Sequence, residues 1–472
     1  MDGVIVASNR GPLSFRLGEN GRPEAAGSGG GLAGTLHPLL AGSGATWVAA
    51  SMSEADRLAA DQGLMTEDGL RIVLVTPDPD LYRMAYDVVS NSTLWFCHHH
   101  LFDLPRRPRF DRHWQEAWLA YRAFNRLFAD SIARNAPEGA VVLVQDYHLA
   151  LAGAMLAKAR PDLRTVHFSH TPFGDPNFLR TLPGAAAGEL LGGMAGFGAC
   201  GFHTARWEAA FRACFADDGL AAVTGVPAPP TFHSPLGPDP TAMADEARTG
   251  ACVAAGEALD ARVGDRKLIV RVDRIELSKN ILRGCWAFEE LLETRAEWRD
   301  RVVLLALAYP SREGLAEYLA YRSEVEHTVA RINDTWGTST WTPIVLDVAD
   351  ARERSVAALQ RYDVLLVNPI RDGLNLVAKE GPLVNERNGV LVISREAGAW
   401  EELHPAAIGI NPFDITGTAA ALELALTMGP GQRARRAADL RELVLARTAA
   451  DWLTDLVAAS PGRTAAEEGP AR

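Results

Sequence analysis

The stretch Arg371-Asp372-Gly373-Leu374-Asn375-Leu376-Val377-Ala378-Lys379-Glu380 places two acids around a glycine turn, directly after a run of buried-strand character, Asp363-Val364-Leu365-Leu366-Val367-Asn368-Pro369. A strand that ends in a glycine turn and continues as a helix points backbone N–H groups at whatever lies before the helix. Those donors and the helix dipole favour an anionic or strongly hydrogen-bonding ligand. Asp372 and Glu380 are eight residues apart, which predicts one carboxylate at the mouth of the turn and the other about two helical turns inside. One acid near sugar hydroxyls and one near a ribose suit a sugar nucleotide, although a plain strand–turn–helix with a solvated aspartate has the same local pattern. About a hundred residues upstream, Lys267-Leu268-Ile269-Val270-Arg271-Val272 runs out into Asp273-Arg274-Ile275-Glu276-Leu277-Ser278-Lys279-Asn280. Arg274 and Lys279 lie within one loop's reach, and a departing nucleoside diphosphate needs such a pair: a planar fork for two oxygens and a compact point charge. Their position at a strand's C-terminal end matters because open α/β sheets bind ligands there.

The elements that must hold these residues are short apolar runs alternating with helical patterns. Strands are predicted at 4–7, 46–49, 72–75, 141–144, 165–168 and 201–203, and again near 268–272, 302–308, 344–347, 364–367, 390–394 and 408–410, with a long helix over 112–135. Such alternation implies parallel sheets covered by helices. Pro227-Ala228-Pro229-Pro230 and Pro235-Leu236-Gly237-Pro238-Asp239-Pro240 bracket a break between the halves, since proline suits neither a central strand nor a helix interior. Residues 460–472 are polar and small, and are expected to fray.

A chain of 472 residues exceeds what one hydrophobic core usually serves, so two domains are expected. The 47% hydrophobic and 22% charged content is that of a globular protein, and a net charge of -12 argues against a nucleic-acid partner. Five scattered cysteines without C-x-x-C spacing point to thiols in a reducing cytoplasm rather than a zinc site or disulfide framework. No signal peptide or membrane span is expected, since the chain enters a strand at once and no uncharged apolar run reaches about 18 residues. Gly29 to Gly34 spells G-x-G-x-x-G, but Arg22-Pro23-Glu24-Ala25-Ala26 has no strand character, so the dinucleotide context fails. A glycine loop at Gly30 and Gly31 whose backbone approaches a phosphate fits better. His98-His99-His100 cannot all face one ion, and no D-x-D pattern stands at a cleft strand, so no metal and no cofactor are expected.

Taken together, the motifs resemble one family in one order. Asn9-Arg10, Gly29-Gly30-Gly31-Leu32-Ala33, Leu94-Trp95, Gln145-Asp146-Tyr147-His148-Leu149 and His170-Thr171-Pro172-Phe173 look like the N-terminal half of the trehalose-6-phosphate synthases. Arg274 through Lys279, Ser311-Arg312, Trp341-Thr342-Pro343 and Arg371 through Glu380 resemble the C-terminal half. The resemblance runs from about residue 4 to about 455. It implies an α/β, GT-B fold of two doubly wound Rossmann-like domains facing across a cleft. The N-terminal domain (1–235) would bind the acceptor and the C-terminal domain (236–450) the nucleotide sugar, with residues 451–472 forming a returning helix and tail. The implied reaction is retaining transfer of glucose from a nucleoside-diphosphate glucose to glucose 6-phosphate. By the same resemblance Arg274 and Lys279 meet the diphosphate, and His170 the donor glucose, with Asp146 near the acceptor. Gly30, Gly31, Asp372, Gly373, Asn375, Leu376, Val377 and Glu380 line the donor, while Arg10, Tyr86, Trp95, Asp146 and Arg312 hold the acceptor and its phosphate. Homo-oligomerisation is left open by the sequence.

Two departures stand out. Asn280 follows Lys279 where many members have glycine, and Pro382-Leu383-Val384-Asn385-Glu386-Arg387 follows the acid-bearing helix. Both resemble the validoxylamine phosphate synthases, a pseudo-glycosyltransferase branch that uses a guanosine nucleotide, and they lead to an expectation that GDP-glucose is favoured over UDP-glucose. The competing classes are that C–N bond-forming branch, a non-catalytic sugar-phosphate sensor and an NAD-dependent oxidoreductase. A sensor should have lost a cation or an acid, and none is lost here.

Overall fold

The computed structural model describes residues 3–27, 31–63, 66–312 and 314–460. The chain divides into two compact units, the first Met1–Ser234 with Ala449–Arg472 and the second Pro235–Thr448. Strands of the first half are β1 (Val4–Ser8), β2 (Leu13–Leu17), β3 (Pro23–Gly27), β4 (Thr46–Ala50), β5 (Thr66–Glu67), β6 (Leu70–Val75), β7 (Val141–Gln145), β8 (Arg164–Ser169), β9 (Ala199–Phe202) and β10 (Thr231–His233). The second unit has β11 (Lys267–Arg274), β12 (Val302–Tyr309), β13 (Ile344–Asp347), β14 (Val364–Val367), β15 (Val390–Ser394) and β16 (Ile408–Ile410).

The sheet of the first unit has the order β10-β9-β8-β7-β1-β4-β6-β5, and that of the second β13-β12-β11-β14-β15-β16. All neighbours are parallel except β5 with β6. The α/β class read from the sequence is therefore the class of the protein. Strands in such sheets are covered on both faces, which is why β1, β7 and β14 are buried at every position. In each sheet the chain starts at the centre, winds one way and then returns to wind the other. The order reverses between β1 and β7 in the first unit and between β11 and β14 in the second. Ligands of open α/β sheets bind outside the carboxyl ends of strands at such points.

Contrary to the sequence expectation, a strand does precede the glycine loop. Pro23–Gly27 pairs antiparallel with Leu13–Leu17. Pro-Glu-Ala-Ala-Gly shows no alternation, and its pairing is set by the turn, where Gly21 has φ 71° and the Asn20 side chain accepts from Arg22 N at 2.9 Å. This strand is one arm of a hairpin outside the parallel sheet, so the dinucleotide fingerprint still lacks the β-α-β unit it requires.

Two helical segments of the first unit bear on its chemistry. Arg112–Asn135 is capped by Asp111, which accepts from Trp114 N at 3.1 Å, and buries Trp114, Trp118, Tyr121, Phe124 and Phe128 along one face. It packs against Met84–Leu94, a stretch wound with π-helical geometry in which Ser90 and Thr93 hydroxyls bond carbonyls five residues back. Such winding is rare and gathers at functional sites. The C-terminal helix Ala449–Ala458 belongs to the first unit and buries Trp452 edge-on against Phe168, centroids 5.2 Å apart. All five cysteines are buried. Among the described residues no helix is long and apolar enough to cross a membrane.

Candidate active site

In the first unit the reversal point is flanked by the ends of β1 and β7. Beyond β1, the buried Asn9 exchanges hydrogen bonds with the Tyr82 hydroxyl at 3.2 and 3.3 Å, and Arg10 is exposed. Burial of Tyr82, reinforced by neighbouring Tyr86, pushes its phenol well above the usual range, so it stays protonated. Tyr86 stacks between Tyr82 and His148, with centroids 5.3 and 5.7 Å away. Trp95 is buried and stacks on His99 at 3.8 Å. The expected acceptor residues Tyr86 and Trp95 thus sit on the π-wound segment and the helix that continues it.

Asp146 follows β7 with φ 69° and ψ 169°, a region that essentially only glycine occupies without strain. Such strain costs of order 1–3 kcal/mol and collects at functional sites. Its side chain accepts from the His170 backbone N–H at 3.2 Å, and its carbonyl meets His167 Nε2 at 3.1 Å. The His170 ring is held at both nitrogens, Nε2 by Gln145 Oε1 at 2.9 Å and Nδ1 by His203 Nε2 at 3.1 Å. Burial, aided by His203 and His167, keeps the His170 ring well below its ordinary pKa and therefore neutral. A neutral ring so engaged can orient a hydroxyl only by exchanging one of these bonds; it is no reservoir of protons near pH 7. Gln145 Nε2 is buried without a hydrogen-bond partner among the described residues. Gln145 and His203 were not among the expected site residues; Gln145 opens the motif Gln145-Asp146-Tyr147-His148-Leu149, whereas nothing in the local pattern singles out His203.

The second unit works by charge. Lys279, on the turn after β11, donates to Asp372 Oδ2 at 2.6 Å. Burial would strip the proton from Lys279, but Asp372 and then Asp273 outweigh it and raise its pKa. Behind it, the buried Arg271 binds Asp273 at 2.7 Å and the Lys279 carbonyl at 2.9 Å, fixing the turn. Arg274, the last residue of β11, is ion-paired with Glu276 at 3.2 Å. Arg312, after β12 with φ 50°, meets the same Glu276 oxygen at 3.1 Å and the Tyr318 hydroxyl at 2.8 Å. Ser311 adds a third bond to that oxygen at 2.9 Å. Glu276 is fully buried. Burial alone would push its carboxyl up, but Arg274, Arg312 and Lys279 with the Ser311 hydroxyl hold it at about 2. Only the cations of this loop drew attention in the sequence; an acid two residues after one cation and three before the next was the available signal.

The glycine turn after β14 is longer than expected. The helix opens at Val377 and runs to Val384, so Glu380 lies in its first turn rather than two turns inside. Asn375, at φ 80°, delays the helix: its side chain donates to Asp372 at 3.2 Å and accepts from Ala378 N at 3.1 Å. Asp372 pairs with Ala397 and accepts from Gly398 N at 3.0 Å through its carbonyl, tying the turn to a loop far along the chain. A side chain at Gly398 would collide with the Gly373 carbonyl. Leu376 and Val377 form the helix start, where backbone N–H groups and the dipole favour an anion. Glu380 faces Arg352 at 3.4 Å. Lys379 is turned inward, buried between the Leu236 carbonyl and Glu402, with bonds of 2.9 to 3.0 Å.

Arg274, Lys279, Arg312, Asp372, Gly373, Asn375, Leu376, Val377 and Glu380 thus belong to the second unit, and Arg10, Tyr86, Trp95, Asp146 and His170 to the first. Gly30 lies outside the described residues, and Gly31 opens the helix Gly31–Leu40. Among the described residues no group of three or more His, Cys, Asp or Glu is placed to hold a metal ion.

Two parallel-sheet units, each with polar side chains at its reversal point, form the two-domain α/β architecture of GT-B glycosyltransferases. The sequence model of glycosyltransferase family 20 matches residues 2–460. The chain belongs to that family. It is 32% identical to the trehalose-6-phosphate synthase of Mycolicibacterium smegmatis over 95% of this chain and 90% of the relative. A Burkholderia xenovorans α,α-trehalose-phosphate synthase (UDP-forming), solved in complex with glucose-6-phosphate, superposes with a TM-score of 0.83 at 28% identity, covering 97% of this chain and 100% of that one. An Escherichia coli structure with UDP-2-fluoro glucose bound gives 0.81 at 27% identity, covering 96% and 99%.

Proposed function

We propose that this protein transfers glucose from a nucleoside-diphosphate glucose to the anomeric hydroxyl of glucose 6-phosphate, forming α,α-trehalose 6-phosphate with retention. The observation that carries the reading is the charge arrangement of the second unit. At the reversal point of a parallel sheet, Arg274 and Lys279 stand beside acids that fix them, close to a helix start able to bind an anion. Whole-length similarity to synthases supports the same conclusion.

Donor and product bonds are both α in this reaction. A double displacement would need a carboxylate nucleophile on the face opposite the leaving group, and the sequence singles out none. We therefore favour front-face attack, in which the leaving phosphate takes the acceptor's proton and the protein supplies positioning and charge stabilisation. In the second unit Arg274 and Lys279 stabilise the diphosphate, Asp372 orients the glucose, Glu380 serves the ribose and Arg312 the acceptor's phosphate. In the first, His170 orients donor hydroxyls as a neutral ring, while Arg10, Tyr86, Trp95 and Asp146 serve the acceptor.

The residues that motivated a guanosine preference are taken up elsewhere. Asn280 Nδ2 donates to the carbonyls of Asn368 and Pro412 at 3.0 and 2.7 Å. Asn385 spans the carbonyls of Leu359 and Tyr362 at 3.2 and 3.0 Å and accepts from Gly389 N at 2.7 Å. These are bonds of a folded backbone; the guanosine expectation rested on resemblance to another branch, and the UDP-forming synthase named above lends it no support. UDP-glucose becomes the first donor to test, in keeping with the UDP-forming relative. The test is purified protein with glucose 6-phosphate and UDP-, GDP- or ADP-glucose, assayed for nucleotide release and for the anomeric couplings of the product. An α,α-linked phosphodisaccharide supports the reading. Absence of transfer from all three donors overturns it.

A further inference from the structure

Glu276 joins residues to which the proposed reaction gives separate tasks. Arg274 from the end of β11 and Arg312 from the loop after β12 both close on its Oε1, at 3.2 and 3.1 Å, with Ser311 on the same atom. Its other oxygen, Oε2, is buried and accepts no hydrogen bond among the described residues. We propose that Glu276 is a positioning residue that sets Arg274 and Arg312 as one unit, so that the grip on the donor diphosphate and the grip on the acceptor phosphate are coupled. The inference rests on the activity proposed above.

The two arginines differ in exposure. Arg312 is 9% exposed and held also by Tyr318, whereas the Arg274 side chain is 41% exposed. A guanidinium that turns to meet a diphosphate must keep or exchange its bond to the carboxylate. Its motion is then felt by the partner on the same oxygen, because charge-assisted bonds are strong and directional. The spare Oε2 gives the carboxylate a second place to hold an arginine as either one turns. With its carboxyl held at about 2, Glu276 carries its charge at any working pH, and loss of that charge is what a substitution would test.

The experiment is Glu276→Gln, similar in shape but uncharged, with glucose 6-phosphate affinity measured by calorimetry with and without saturating UDP. Wild-type protein should bind glucose 6-phosphate at least tenfold more tightly when UDP is present. In E276Q that factor should shrink to within twofold, while kcat falls at least tenfold and the KM for glucose 6-phosphate rises at least fivefold. Glu276→Asp, which keeps the charge, should recover part of both. A residue of merely structural importance would lower the melting temperature without abolishing the UDP-dependent factor. If E276Q does not fold, E276D is read alone: a reduced factor supports the coupling and an unchanged one overturns it. Wild-type turnover without any UDP-dependent gain, or E276Q equal to wild type, overturns this inference alone. A wild-type protein that transfers no glucose overturns the activity and the inference with it.

Discussion

The first unit fixes its polar residues with neutral groups, and the second does so with buried ion pairs. Around Asp146 and His170 stand Gln145, two further histidines and the tilted ring of Phe168, none of which needs to carry charge. Lys279 and Arg274 are ion-paired with Asp372 and Glu276, with Arg271 on Asp273 behind them, and each pair is at least partly withdrawn from water. A buried charge is tolerated only when paired, and removing one partner strands the other. A neutral network makes a weaker but more adaptable hold. The difference matches the two proposed ligand chemistries, a multiply charged diphosphate in one unit and a polyhydroxyl ring in the other.

The largest expected effect breaks the charged side. Arg274→Ala or Lys279→Ala should lower kcat by ~10²–10³-fold, the magnitude seen when a donor to developing negative charge is removed. Steady-state kinetics showing near-normal turnover in both variants would remove the diphosphate role.

Acid should separate the units next. His167 in the first unit is pushed by burial from an ordinary 6.5 down to about 4, against the opposing pull of the Asp146 carbonyl. Below pH 6.5 the unfolded chain binds a proton that the folded unit refuses. Stability is therefore lost as pH falls from 6.5 toward 4, by about 3 kcal/mol. Glu276 has a depressed pKa, so its contribution is complete above its ordinary 4.5 and is lost only as pH falls through about 2. Pulse-labelled hydrogen exchange on acidification should show the first unit opening at higher pH than the second. The reverse order would mean that other groups govern acid stability.

The smallest effect sharpens the donor question. Asn280 sits at φ 58°, and its side chain also accepts from Arg283 at 2.9 Å. Asn280→Gly relieves the backbone but deletes these bonds, so a net loss of about 1–2 kcal/mol is expected. The ratio of kcat/KM for UDP-glucose and GDP-glucose should move less than threefold. A tenfold swing would show that Asn280 influences the choice of base.

Much of this was visible in the chain because parallel strands covered on both faces leave continuous apolar runs. Val302–Tyr309 and Val364–Val367 are such runs, and the residues just beyond them carry the chemistry. What escaped depends on distant pairing. The helix after β14 starts late because Asn375 holds the turn and Asp372 is tied to Ala397, and no local pattern announces the second of these. The hairpin arm Pro23–Gly27 is a strand through its partner, not its composition. Met84–Leu94 takes its π winding in contact with the helix Arg112–Asn135, and no local pattern in the chain announces it. Glu276 was hidden for another reason: its role appears only when Arg312 arrives from the next strand.

Calorimetric titration of UDP against wild type, Arg274→Ala and His170→Ala tests the division between charged and neutral sides most directly. Loss of a charge-assisted bond of about 1.5–3 kcal/mol corresponds to roughly 10–150-fold in affinity. UDP affinity should fall at least tenfold in R274A and stay within threefold of wild type in H170A. Equal losses in both variants, or a larger loss in H170A, would contradict the account.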